Sequence, residues 1–97
     1  MIIWITGQRN SGKTTLAREM CSKMNAINLD GDEMRKSISI GLGFSEDDRY
    51  ENNMRIARLA KVLSDQGHDI IISTILPDIK DLRQEVWNIT ACKFIHL

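Results

Sequence analysis

The chain lacks the features that would take it out of the soluble globular class. Its 13 basic and 13 acidic residues cancel, so no basic surface points to nucleic acid and no charge block points to a tail. No apolar run is longer than a strand requires, far short of the roughly 20 residues that cross a bilayer. The N-terminus opens directly on a strand-like stretch, with no charged leader before a long apolar segment, so a signal peptide is not expected. Only two cysteines occur, Cys21 and Cys92, and neither has a cysteine or histidine at ligand spacing. They read as buried thiols of a reducing compartment, which makes a cytoplasmic location the expectation. The two histidines, His68 and His96, likewise have no metal partner nearby and read as structural. With 97 residues there is room for one small domain, which buries about two thirds of the surface its unfolded chain exposes.

What is present starts with Gly7-Gln8-Arg9-Asn10-Ser11-Gly12-Lys13-Thr14, a G-x-x-x-x-G-K-[ST] phosphate-binding loop. It follows the apolar run Ile2-Ile3-Trp4-Ile5 and opens a helical pattern over Lys13 to Met24. That context carries the assignment. A strand delivers the loop, and the helix behind it aims free N–H groups and its positive dipole end at an anion. Gly7 and Gly12 allow a backbone approach that a Cβ would block. Lys13 can reach β- and γ-phosphates, and the Thr14 hydroxyl can ligate Mg²⁺.

Strand and helix signals then alternate without repeats. Ala26 to Leu29 reads as a short strand, and Asp30-Gly31-Asp32 as a turn out of its carboxyl end. Glu33 to Ser39 reads as a short helix stopped by Gly41 and Gly43. Ser45 is an N-cap with acids behind it, and Tyr50 to Gln66 is the longest helix. Ile56, Leu59, Ala60 and Leu63 give that helix its apolar face, and Gly67 closes it. Asp69 to Ser73 is a buried strand, Ile79 to Asn88 a weaker helix, and Lys93 to Leu97 a last strand. The order β-α-β-α-α-β-α-β predicts an α/β fold with a parallel sheet and right-handed crossovers. Ligands bind beyond the carboxyl ends of such strands. The phosphate loop, Asp30-Gly31-Asp32 and Thr74-Ile75-Leu76-Pro77 all fall there.

Phosphoryl transfer also needs a metal, an in-line acceptor hydroxyl and charge neutralisation. The third strand ends in Ser73-Thr74 with no acid, so Asp32 is the first candidate carboxylate and Asp30 the second. The same residues also suit a plain turn and helix cap. Arg35, Arg49 and Asn52 lie where they could fork onto an anionic acceptor, or equally form a solvated helix face.

These residues, read together, resemble the adenylyl-sulfate kinases. These are P-loop enzymes that phosphorylate the 3′-hydroxyl of adenylyl sulfate (APS) to give PAPS. The match runs through Ile3-Trp4-Ile5-Thr6-Gly7 and Ser11-Gly12-Lys13-Thr14-Thr15-Leu16-Ala17, then Leu29-Asp30-Gly31-Asp32 and Arg35. It continues through Leu42-Gly43-Phe44-Ser45-Glu46-Asp47-Asp48-Arg49, Glu51-Asn52, Arg55-Ile56-Ala57 and Ala60-Lys61. The resemblance implies a three-layer α/β/α P-loop NTPase fold and a role in sulfate activation. It implies that Gly7, Gln8, Arg9, Asn10, Ser11, Gly12, Lys13, Thr14 and Thr15 hold ATP phosphates and Mg²⁺. Lys13 and Asp32 would be catalytic, with Thr14 and Asp32 on the metal. Asp32, Arg35, Phe44, Arg49, Asn52 and Ile75 would bind the acceptor, with Phe44 stacked on its adenine.

The chain departs from the family pattern in three places. Leu76 stands where a serine is usual, Gln8-Arg9-Asn10 replaces Leu-Ser-Gly, and the match stops at Phe94-Ile95-His96-Leu97. The expectation is a kinase domain over residues 1–97 that ends after the fourth strand, without a basic lid or fifth strand. Self-association through the last strand is then expected. Neither nucleic acid nor membrane is an expected partner. Two other readings stay open at this point: a related P-loop kinase with another small-molecule acceptor, and an inactive nucleotide-binding fragment.

Overall fold

The computed structural model describes residues 1–97. Its elements in chain order are β1 (Ile2–Thr6), α1 (Lys13–Met24), β2 (Ile27–Asp30), α2 (Gly31–Arg35), α3 (Glu46–Asp65), β3 (Ile70–Thr74), α4 (Leu82–Thr90) and β4 (Lys93–His96). The four strands form one parallel sheet in the order β2-β3-β1-β4.

Topology decides which face each helix covers. The chain leaves β1, crosses over β3 and returns as β2, whereas it leaves β3, crosses over β1 and returns as β4. Right-handed crossovers running in opposite directions put their helices on opposite faces. The packing agrees. Ile3, Ile5 and Ile71 point to the α1 side, where they meet Ala17, Leu16, Met20 and Met24. Ile2, Trp4, Ile70 and Ile72 point to the other side, where they meet Ile56, Ala57 and Ala60 of α3 and Leu82 and Val86 of α4. Strands β1 and β3 are buried along their whole length, which is why they read as continuous apolar runs.

The element order matches expectation, and the boundaries move for identifiable reasons. Asp30-Gly31-Asp32 is not a turn. Asp30 ends β2 and immediately caps α2, its Oδ2 accepting the backbone N–H of Asp32 at 3.1 Å and of Glu33 at 3.2 Å. The two helical stretches expected around Ser45 and Tyr50 are a single 20-residue helix. Ser45 Oγ accepts the Asp48 N–H, and Glu46, Asp47 and Asp48 oppose the helix dipole in the first turn. Helix α4 starts at Leu82 rather than Ile79, because Lys80 and Asp81 both have left-handed φ angles of 46° and 56°, which no helix accommodates. Phe94 and Ile95 of the edge strand β4 are half-buried rather than exposed. Phe94 tilts against Trp4 at 6.3 Å and Ile95 packs on the α1 side, so any association through β4 must rest on its free backbone edge.

Cys92 is buried, but Cys21 is only half-buried, less enclosed than expected. Burial pushes both thiols above their ordinary pKa, so both are protonated near neutral pH. His96 meets Thr6 Oγ1 at 2.9 Å, a structural contact. No helix is long and apolar enough to cross a membrane.

The buried Trp4 indole has one polar partner, with Nε1–H donating to Thr74 Oγ1 at 2.9 Å. Thr74→Val keeps the shape and orphans that donor, and is expected to destabilise the chain by about 1–3 kcal/mol. A urea titration followed by tryptophan fluorescence measures it; a change below a few tenths would show that the bond contributes little.

Candidate functional site

The carboxyl ends of β1, β2 and β3 open into one cleft of about 510 Å³. The first wall is the phosphate loop. Gly12 caps α1 with φ of 94°, a left-handed value that suits glycine. A Cβ on Gly7 would lie 2.6 Å from Ser11 Oγ and 2.8 Å from the Leu97 carbonyl oxygen, so only glycine fits there. The N–H groups of Lys13, Thr14 and Thr15 open α1 and have no intrahelical acceptor. Lys13 folds back on its own loop, with Nζ donating to the Gln8 carbonyl at 3.0 Å. Ser11 Oγ is buried without a partner. A concave loop with unspent donors and one cation already seated in it fits a polyphosphate. Arg9, Asn10, Gly12, Lys13, Thr14 and Thr15 line the cleft, whereas Gly7, Gln8 and Ser11 shape the loop from behind.

The second wall comes from the end of β2. Asp30 is occupied structurally, since its other oxygen, Oδ1, accepts Ser73 Oγ–H at 3.1 Å. That bond brings the carboxylate of β2 next to the acid-free end of β3. Asp32, in contrast, is 81% exposed at its side chain and holds only Arg35 Nη1, at 3.3 Å. The two acids therefore differ in their surroundings: Asp30 is held by the α2 cap and Ser73, whereas Asp32 is exposed and bonded only to Arg35. An exposed carboxylate and the exposed Thr14 hydroxyl on one cleft are hard oxygen donors of the kind Mg²⁺ takes.

The third wall carries arginines around an aromatic ring. Arg35 lies 4.6 Å above the Phe44 ring centroid and Arg49 lies 5.8 Å from it. Arg49 Nε also donates to the Phe44 carbonyl at 2.9 Å, and Asp48 Oδ2 accepts the Gly43 N–H at 2.8 Å. The start of α3 thus grips the loop that presents Phe44. Phe44 is 60% exposed. An incoming base has to share it with the guanidiniums or displace them.

Helix α3 is tied to the strand ends by two asparagines. Asn52 Nδ2 donates to the Gly31 carbonyl at 3.4 Å. Asn53 Nδ2 donates to the carbonyls of Arg49 at 2.9 Å and Ile75 at 3.4 Å. The cleft gathers every acceptor-side candidate: Asp32, Arg35, Phe44, Arg49, Asn52 and Ile75. It also gathers Asn53, Ser73 and Thr74, which the motif strings do not single out. A signal for Asn53 was present. Asn52 and Asn53 stand four and three residues before Ile56, so both continue the buried stripe of α3 with polar side chains.

Comparison with known proteins covers the whole of this chain. A family model described as adenylylsulphate kinase matches residues 1–97. The adenylyl-sulfate kinase of Pseudomonas aeruginosa is 39% identical over 87 residues, covering 84% of this chain and 44% of that protein. That of Penicillium chrysogenum is 44% identical over 87 residues, covering 84% of this chain and 41% of that protein. The structure of the Mycobacterium tuberculosis APS kinase in complex with AMPPNP and APS is similar at a TM-score of 0.85 and 32% identity. It covers 98% of this chain and 59% of that one. The chain spans about half the length of the curated relatives it matches.

Lys13 makes one bond, to its own loop, so its removal should leave the fold intact. Lys13→Ala is expected to abolish ATP and ADP binding by calorimetry. Unchanged nucleotide affinity in a folded variant would remove the phosphate-loop assignment.

Proposed function

The chain belongs to the adenylylsulphate kinase family, and from that membership we propose that it transfers the γ-phosphoryl group of ATP to the 3′-hydroxyl of adenylyl sulfate, giving PAPS. One observation carries the reading: a single cleft holds both a phosphate loop and an aromatic ring flanked by two arginines. A nucleotide with an anionic end matches the second half of that cleft, the base on Phe44 and the sulfate and phosphate on Arg35 and Arg49.

In this reading the residues divide the work by chemistry. Loop N–H groups and Lys13 hold the ATP phosphates and take up charge as it shifts toward the leaving oxygen. Thr14 and Asp32 would hold Mg²⁺, which when bound supplies further neutralisation of the phosphates. Alternatively, Asp32 would take the proton of the acceptor hydroxyl, and its exposure leaves it free to turn between Arg35 and the substrate. Arg35 and Asn52 orient the acceptor between the β2 end and α3. Leu76 packs against the core and offers no hydroxyl, and direct in-line transfer requires none there.

We further propose that residues 1–97 supply the phosphate and acceptor sides of the reaction and that the rest of the ATP site lies in segments corresponding to the remaining length of the relatives. A chimera carrying those segments from a full-length relative is expected to turn over orders of magnitude faster than the 97-residue chain. Equal steady-state rates from a monomeric 97-residue chain would refute this division.

Arg49→Ala removes a guanidinium that both faces the anion site and anchors the Phe44 carbonyl. It is expected to weaken APS binding by at least about 1.5 kcal/mol while leaving ATP affinity nearly unchanged. Thermal-shift titration with each ligand measures both. If APS stabilises neither wild type nor variant, an acceptor other than APS becomes the better reading.

A further inference from the structure

One residue of the cleft has no part in the chemistry above. Asn53 is 1% exposed on α3 and lines the cleft beside Asn52. Its amide orientation is set by its neighbours. Two backbone carbonyls, those of Arg49 and Ile75, converge on one end of the carboxamide, and a carbonyl receives a hydrogen bond only from the NH₂ end. The oxygen must therefore point the other way. There Oδ1 is buried and accepts nothing.

A clamp between α3 and the β3 loop would need only the NH₂ group. The orphaned oxygen is a separate observation, and buried acceptors without partners are rare in folded chains. It also has company. Asn52 Oδ1 and Arg35 Nε, on the same cleft, are buried without partners as well. Two acceptors and one donor are thus left unpartnered on three residues that line one cleft, and a polar ligand there would complete them.

We propose that Asn53 is a specificity-determining residue whose Oδ1 accepts a hydrogen bond from a neutral N–H or O–H group of the acceptor nucleotide. The ligand group must be a donor, because a carboxamide oxygen repels phosphate and sulfate oxygens, whose match is the arginine side of the cleft. In adenylyl sulfate the neutral donors are the 6-amino group and the ribose hydroxyls. The inference rests on the APS reading, and it adds a hydrogen bond to the nucleoside beside the stacking on Phe44.

The test crosses protein variants with ligand variants. APS and three analogues, lacking the 6-amino group, the 2′-hydroxyl or the 3′-hydroxyl, are titrated calorimetrically into wild type and Asn53→Leu. Asn53→Ala serves in parallel if the leucine variant does not fold. The variant is expected to bind APS at least about five-fold more weakly. For one analogue, the one lacking the recognised donor, wild type and variant should bind alike. A merely structural role predicts a uniform loss for all four ligands, and that result overturns the proposal. Equal APS affinity in wild type and variant overturns it too, while leaving the APS reading in place. Absence of APS binding by wild type overturns that reading and this inference together.

Discussion

The pairing of β1 with β3 is the constraint from which the rest of the molecule follows. These two strands are consecutive neither in sequence nor in direction of crossover, yet they lie side by side in register from Ile2 with Ile70 to Thr6 with Thr74. Each is followed by a connection that runs to the opposite side of the sheet. A crevice between diverging connections is forced by that geometry. The phosphate loop leaves one lip of the crevice and the Ile75 loop leaves the other. The apolar alternation toward two separate cores keeps the pair central, and a one-residue slip would turn Trp4 and Ile72 onto the wrong face.

Around that crevice, side chains bonded to backbone do the positioning. Asp30 joins the ends of β2 and β3 while starting α2, Asn52 reaches the β2–α2 junction, and Asn53 reaches the loop after β3. Asp48 and Arg49 hold the two residues that present Phe44. None of these bonds is large by itself, at about 1 kcal/mol net for a typical one. Their effect is geometric. They join separate chain segments, so that the backbone presenting the cleft's side chains has little freedom left to lose.

Much of this was legible in the sequence because local chemistry and tertiary position agreed. Continuous apolar strands, the phosphate loop between strand and helix, and the Ser45 cap each carry their own signal, and each appears where expected. The cleft residues Asp32, Arg35, Phe44, Arg49, Asn52 and Ile75 came from motif resemblance, since an isolated arginine on a helix says nothing about what it faces. Less legible were features whose cause is long-range. Asp30 suits a turn or a helix cap by its local chemistry, but the Ser73 contact that occupies its other oxygen comes from 43 residues away. Leu82 rather than Ile79 starts α4 because two left-handed residues precede it, and neither is a glycine that would announce them. Asn53 is hard to read because polarity on a helix suggests solvent, although its spacing from Ile56 places it inside.

The resting position of Lys13 has a consequence for how fast and how selectively the loop fills. With its ammonium bonded to the Gln8 carbonyl, Lys13 keeps its positive charge on the phosphate loop itself. Arrival of a phosphate is then a partner exchange, one neutral carbonyl given up for an anion. Such an exchange needs no loop refolding, and its gain grows with the charge offered. Under the proposed function, a polyphosphate draws Lys13 off the Gln8 carbonyl where an inert polar solute does not, which selects ligands by charge before any base or sugar is examined.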